Sequence, residues 1–529
     1  MAASFLRHAP LDKRYRRLQT HSVKQPRVQH PGGPVSSASG QGTSETRSPQ
    51  PRGLRRSLTV WQAVGISVAL MAPSMAININ PQATAGLVGR ATPLAFFLAA
   101  VAVLLIAYVF VRLSQYYQHA GSVYMFAGAT LGPHAGGVAG LCLLGTYTFY
   151  GLVTASASGV FGSAFLDQVG IWDDQPTWAG FVVGGVALVI ALALAVVPAR
   201  RAGSILLSVE GITVLLIIVI AAIVLVRLLA GNAPDGAGFT LDVFKVAPGT
   251  QRSDLFLGII FGLLSFAGFE AAATLGEEAE NPRRDIPRAI LGTAIFGGIY
   301  FTVGTAIEMM AFGTDDKGVA NFVGSSALMG DLGTSYVGSW VGDLITLGAA
   351  ISAFGCCLAC IVGAARLLFA ISRDVSPGSA LGRTSSNGTP ALAAGVIAAL
   401  IAGIALICAV FFDAIPFDTF LWSGAIGTLI LLVAYALTTL GCIKLVFVDR
   451  RLDVPQWQVV IPAAALLILG YTLYRNVVPY PTEGAFQWLP VVAFGWVGAA
   501  VLAVVVSPEW TRRLASGLSR ADEESANSL

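Results

Sequence analysis

VWQAVGISVALMAPSMAININP (residues 60–81) is an apolar helix with a proline in its middle, and GLLSFAGFEAAATLGEE (262–278) carries a comparable interruption. In the first stretch Gly65 is followed by Pro73 at mid-length, then by Asn78 and Asn80. Proline removes a backbone hydrogen bond and clashes with the preceding turn, so the helix is expected to break there. In the second, Gly262 and Gly268 surround the middle and a carboxylate, Glu270, lies just beyond. Freed backbone groups at membrane depth are tolerated only where they line a protein-walled or wet cavity. A pair of interrupted helices in corresponding positions of two halves marks the binding site of a carrier. The plainer alternative is a kink at Pro73 and close packing at Gly268.

Composition places both stretches in a bilayer. Of 529 residues 55% are hydrophobic and 12% charged, and the mean hydropathy is +0.72. A soluble chain carries about 25% charged residues, so this is an integral membrane protein. Bulk disorder, collagen repeats and coiled coils are excluded, as is a disulfide scaffold with only 6 Cys. A net charge of +3 gives no reason to expect nucleic acid. Crossing a bilayer takes roughly 20 apolar residues. Twelve spans are expected at about 60–80, 94–113, 135–165, 177–197, 203–228, 254–276, 287–311, 339–371, 391–412, 418–446, 457–474 and 487–506.

Spans one to five occupy 60–228 and six to ten 254–446. Five is odd, so the second set is inverted relative to the first. The fold class expected is an all-α membrane protein of twelve transmembrane helices. It is a five-plus-five inverted repeat with helices one and six discontinuous and two helices appended at 457–506. This domain, 57–510, lies between a basic disordered tail at 1–56, holding 11 Lys/Arg against Asp12 and Glu45, and a C-terminal tail at 511–529. With the N-terminus inside, fifteen further Lys/Arg join those 11 on the cytoplasmic side. Six fall outside: Arg90, Arg227, Lys245, Arg252, Lys317 and Arg475. Such a bias places both termini in the cytoplasm of a multi-pass cell-membrane protein. The Ala/Gly/Val-rich spans suggest a GC-rich bacterium.

Short loops leave no room for a soluble catalytic domain, and no Walker A, HExxH or GxSxG motif occurs. Outside the tail the only histidines are His119 and His134, so an embedded enzyme is not expected. A channel would show a filter motif or charged rings. The six cysteines lie in spans; Cys356, Cys357 and Cys360 read as soft packing residues, with no metal and no disulfide expected. Gly151, Ala155, Gly159 and Ser163 recur every four residues of span three, a small-residue stripe for close helix approach. The run Glu277, Glu278, Glu280, Arg283, Arg284, Asp285, Arg288 reads as a solvated, salt-bridged loop, with inner-gate closure as the sharper alternative. The sequon Asn387-Gly388-Thr389 falls on the cytoplasmic side and is expected to stay unmodified.

Three stretches resemble the amino acid–polyamine–organocation (APC) superfamily of permeases: HAGSVYMFAGATLGPHAGGVAG (119–140), SFAGFEAAATLGEEAENPRRDIPRAI (265–290) and AARLLFAISRD (364–374). The second is the most specific, and with the span count the resemblance extends over about 58–510. It departs where an RDG-type ending reads Arg373-Asp374-Val375, and in the long N-terminal tail. It implies a LeuT-like fold and an amino acid permease.

Physics and resemblance together place the site. After the break near Pro73 the free N–H groups and positive dipole end of the second half-helix suit a carboxylate, at Ser74, Met75 and Ala76. An α-ammonium needs acceptors, which the carbonyls near Ala69, Leu70, Phe266 and Ala267 supply beside Gly268. The aromatic that caps the substrate in similar permeases falls on Phe266, with Phe269 as the other choice. Tyr147 and Tyr150 offer hydroxyls or serve as packing. A membrane-embedded acid is costly and usually functional. Glu270 is placed to bind a cationic group or a proton. Glu210 is placed on a helix that borders the ion or proton site in related carriers. Some proton-coupled relatives have a lysine there, and none occurs between 197 and 244. Glu308 reads as interfacial.

The expectation is therefore a secondary active transporter of amino acids or related amines, neutral or cationic, working by alternating access with a proton as coupling ion. Sodium symport, using helix-one carbonyls and Ser352, substrate exchange, or a non-concentrating sensor are the alternatives. The partners expected are a small molecule and the lipid bilayer, with the chain a monomer or homodimer.

Overall fold

The computed structural model describes residues 59–527, except 118–121, 198–199, 248–249, 276–278, 377, 386–387 and 483. The N-terminal tail, His119, Glu277, Glu278 and Asn387 lie outside the described residues. Seventeen α-helices order the described chain. They are α1 (Val60–Met71), α2 (Pro73–Val88), α3 (Thr92–Tyr116), α4 (Ser122–Leu131), α5 (Pro133–Gln168), α6 (Ala179–Ala195), α7 (Arg200–Leu229) and α8 (Leu255–Ser265). Then come α9 (Pro282–Phe312), α10 (Asp316–Val323), α11 (Leu328–Tyr336), α12 (Ser339–Val375), α13 (Ala391–Phe411), α14 (Pro416–Ile443), α15 (Val460–Arg475), α16 (Trp488–Val506) and α17 (Pro508–Asn527). Among the described residues nine helical stretches are long and apolar enough to cross a membrane, one of them Val60–Tyr116, which takes in α1, α2 and α3; Ala179–Ala195 is a shorter apolar helix.

The break in the first helix has a local cause. Thr59 and Gln62 form a capping box that starts α1, each side chain satisfying a backbone N–H of the other. The helix stops at Met71 because Pro73 disfavours α geometry in the residue before it. Ala72 sits in the left-handed region at φ 45°, and Pro73 then occupies the first turn of α2, where its missing N–H costs nothing. Contrary to the expected limit near residue 80, α2 runs through Pro81 to Val88 and ends at Gly89, φ 58°. Its residues from Pro73 to Ala85 are all buried, and tertiary packing overrides the proline.

The sixth span departs further. α8 ends at Ser265, tight turns cover 266–270, and a 3-10 segment follows at Ala271–Leu275. Gly262 does not mark the break: it lies inside α8, where an added Cβ would stand 2.6 Å from Ala99 Cβ, so its role is packing against α3. Two connector helices, α10 and α11, and the terminal helix α17 were not anticipated. α17 forms because Trp510, Leu514 and Leu518 share one face, with Trp510 and Leu518 buried. The segment read as a C-terminal tail is therefore helical as far as Asn527.

α5 runs through the middle, packed on α12, α14 and α6, while α3 packs along α9 and α2 along α8. The small-residue stripe of α5 meets α6. A Cβ on Gly159 would lie 2.1 Å from the Gly180 carbonyl oxygen, and one on Gly184 2.6 Å from that of Ala155. The obstacle is backbone, so Gly159→Ala is expected to destabilise by about 1–3 kcal/mol. Gly185→Ala, with nothing within 4 Å, is expected to be neutral. Thermal unfolding in detergent checks the pair; equal melting temperatures would show that this helix contact is not tight.

Candidate functional site

The two breaks meet. Gly268 has φ 103°, and a Cβ there would stand 2.9 Å from Leu70 Cβ and 3.0 Å from the Leu70 carbonyl carbon. Only glycine combines this backbone angle with so close an approach. Ser67 of α1 accepts the Ala272 N–H at 2.9 Å, which ties α1 to the chain beyond the second break.

Every donor at the start of α2 is accounted for. Ala72 N–H bonds the Ala69 carbonyl at 3.1 Å and Ala76 N–H bonds Ala72 O at 2.8 Å; Pro73 has no N–H. Ser74 N–H donates to Glu210 Oε1 at 2.9 Å and Met75 N–H to Ser352 Oγ at 3.3 Å. The positive end of α2 thus holds a carboxylate from the chain itself, buried at 6% exposure. The structure brings Ser74, Met75, Glu210 and Ser352 together, but Ala76 is not a free donor.

The carbonyls expected to be loose are unequal. Ala69 O and Phe266 O close turns with Ala72 and Phe269, and Leu70 O accepts the Cys356 thiol at 3.4 Å. Cys356 on α12 is thereby a break-lining residue. Ala267 is half-buried, and its N–H bonds Leu264 O at 3.1 Å. Phe266 is 1% exposed and packs edge-on to Phe301 of α9 at 5.3 Å, against Gly297. Phe269, equally buried, is wedged edge-on between Phe110 and Tyr435, at 5.8 and 6.1 Å.

Glu270 stands at the centre of a second cluster. Its carboxyl turns back towards the Gly268 N–H and adjoins the Tyr435 hydroxyl of α14. Tyr147 and Tyr150 of α5 lie within electrostatic range. Tyr150 shares a hydrogen bond with Thr428 at 3.1 Å, and Tyr147 packs towards Gly363 of α12. Glu270 Oε2 and the Tyr435 hydroxyl are buried without a well-formed hydrogen bond. Sequence reading missed Tyr435 and Cys356. A tyrosine in the tenth span is the available signal for one; the other reads in sequence as packing.

Polar side chains of α2 fasten the site to its surroundings. Asn78 Oδ1 accepts the N–H groups of Met329 and Gly330 at 2.9 and 3.3 Å, Asn80 donates to Ser265 Oγ at 2.6 Å, and Gln82 donates to Ser325 O at 2.8 Å. Ser325 Oγ in turn bonds Asp331 at 2.6 Å, and burial pushes that carboxyl above its usual range despite this bond. Glu308, expected at an interface, is instead 0% exposed with neither carboxyl oxygen bonded. α9 turns that face inward, against α2 and α11.

Broken helices meeting at buried carboxylates inside a bundle of apolar spans define a multi-pass membrane transporter. The amino acid permease family profile matches residues 63–511, and the chain belongs to that family, within the APC superfamily. It is a transporter, not an enzyme. The chain is similar to the low-affinity putrescine importer PlaP of Escherichia coli, 28% identical over 75% of this chain and 82% of that one. It also resembles the branched-chain amino acid permease BcaP of Bacillus subtilis, 26% identical over 61% and 66%. A third relative is human cationic amino acid transporter 4, 28% identical over 49% and 41%.

Gly268→Ala joins a strained φ to a backbone clash, together costing roughly 1–3 kcal/mol. It is expected to abolish transport while a control at the open position Gly86 does not. Uptake by cells expressing each variant at equal membrane levels measures this; full activity of Gly268→Ala would show that the breaks need not touch.

Proposed function

We propose that the protein is a secondary active transporter that carries an amine-bearing solute across the cell membrane by alternating access, coupled to protons. The observation that carries the reading is Glu270. It is a buried carboxyl with an unbonded oxygen, beside the Tyr435 hydroxyl and within electrostatic range of Tyr147 and Tyr150. A carboxylate in such a place requires a cation or a proton, and the ammonium of the cargo supplies the first. The tyrosine hydroxyls orient it, and the Leu70 and Ala267 carbonyls lie at the neighbouring breaks. Either Phe266 or Phe269 closes the chamber.

Glu210 supplies the coupling. While ionised it occupies the Ser74 N–H that a cargo carboxylate would use. Protonation removes the charge from that bond and releases the end of α2. An amino acid cargo therefore binds best after Glu210 takes a proton, whereas a diamine leaves the α2 end undisturbed. The putrescine importer among the relatives supports diamines, and the branched-chain permease supports amino acids. Sodium coupling is the second reading; it draws on Ser352, whose hydroxyl adjoins both Glu210 and the break.

The reading includes twelve crossings in two inverted five-helix repeats, both termini inside. Its support is the pairing of corresponding spans: the first with the sixth, α2 on α8 and α1 on the segment 271–275, then α3 with α9, α5 with α12 and α6 with α13. These are the pairs that a two-fold axis in the membrane plane would generate.

Proteoliposomes offered labelled amino acids and diamines test this, with an imposed proton gradient, a sodium gradient or neither. Accumulation is expected with the proton gradient alone. Glu270→Gln is expected to lower amine uptake by roughly two to four powers of ten, since losing one partner of a buried pair costs roughly 3–5 kcal/mol. Glu210→Gln is expected to retain exchange but lose the response to protons. Accumulation with sodium alone would favour the second reading, and no uptake under any gradient would overturn both.

A further inference from the structure

α9 carries a carboxyl that neither cluster uses. Gly297 of α9 lies against Phe266 and Met71, and Gly304, seven residues on, against Ile77 of α2 and Met329 of α11. Glu308 follows one turn later on the same stripe, so it is directed under α2 and α11. It is 0% exposed and neither oxygen is hydrogen-bonded. On its own helix, Tyr300 and Thr305 also carry buried, unbonded hydroxyls, and Tyr300 lies within electrostatic range of both Glu308 and Glu210.

Among the described residues, no charged group on the elements packed against α9 forms an ion pair with Glu308. Arg227 of α7 lies over the Tyr336 ring at 5.8 Å, and Glu210 holds Ser74. Asp315 caps α10 at Gly318, and Asp331 of α11 takes Ser325 Oγ. Asp242 pairs with Lys245, and Arg112, the one charge on α3, bonds Gln115 and Gln458. Glu270 lies in the other cluster. α2 has no charged residue, and Asp316 and Lys317 open α10. An ionised carboxylate with no partner costs several kcal/mol to bury.

The cover over Glu308 is mechanically tied to the transport machinery. Asn78 of α2 holds the first turn of α11 through Met329 and Gly330, and Gln82 holds Ser325. A movement of α2 carries α11 with it and alters what covers Glu308.

We propose that Glu308 is a further proton-binding site of the transport cycle, loaded when α2 and α11 lift from α9 and shut in, as the neutral acid, when they close. In the step one proton joins the carboxylate from the solution on the side to which the site is open, and it leaves the carboxyl to the solution on the opposite side when the site reopens there. This rests on the proton-coupled reading above, and it adds a proton to the one assigned to Glu210.

The test uses the full chain in proteoliposomes, comparing wild type, Glu308→Gln and Glu308→Asp. Two quantities are read: counterflow of labelled substrate without a gradient, and accumulation driven by one unit of pH difference. One proton moved through one pH unit is worth about ten-fold in accumulation. Glu308→Gln is expected to keep counterflow and lose about that ten-fold. Glu308→Asp is expected to keep accumulation but shift the pH at which it is half-maximal. If Glu308→Gln accumulates like wild type, Glu308 is a permanently neutral packing acid and the inference falls alone. If wild type ignores the proton gradient, the coupled reading falls first and the inference with it. Should Glu308→Gln lose counterflow as well, the aspartate variant decides: an unshifted pH profile overturns the inference.

Discussion

Two pieces of interrupted backbone lie against each other at Gly268 and Leu70, and the rest of the site depends on that approach. Backbone stripped of its helical partners cannot remain in a bilayer unless something else satisfies it. Here the partners come from the whole bundle: Glu210 from α7, Ser352 and Cys356 from α12, and Ser67 from α1. The broken helices are therefore stable only in the assembled protein. Any rearrangement that opens one break must also exchange the partners of the other.

The same constraint explains why the buried acids sit where they do. Glu210 is held by the end of a helix whose dipole favours negative charge. Glu270 lies among tyrosines with an unbonded oxygen, and Glu308 has neither oxygen bonded. These are three environments of decreasing satisfaction, from a carboxylate bonded at a helix end to one with neither oxygen bonded.

Much of the fold was legible because periodicity and length are local properties. The apolar stretches fall on helices, the stripe through Ala155 and Gly159 meets α6, and Pro73 interrupts the first helix where steric rules require it. Less legible were features decided by contact. Pro81 lies within a continuous helix, since burial on all sides of α2 outweighs one lost hydrogen bond. Gly262 and Gly268 look alike in sequence, yet one admits α3 and the other turns the chain. Phe266 and Phe269 could not be told apart by spacing; their rings pack against different helices, α9 for one and α3 with α14 for the other.

By itself the sequence determined the membrane character, the positions of the interrupted helices and the residues able to carry charge at depth. These follow from the hydrophobic effect, from the geometry of proline and from the cost of burying ions, all of which act within a few residues. Only the tertiary structure decided the partners. That Glu210 caps α2 across 136 residues of chain, that Cys356 serves Leu70, and that Glu308 lies inside and not at an interface are matters of long-range packing. Side chains so distant in sequence share no local signal, and which face of each helix turns inward depends on every helix beside it.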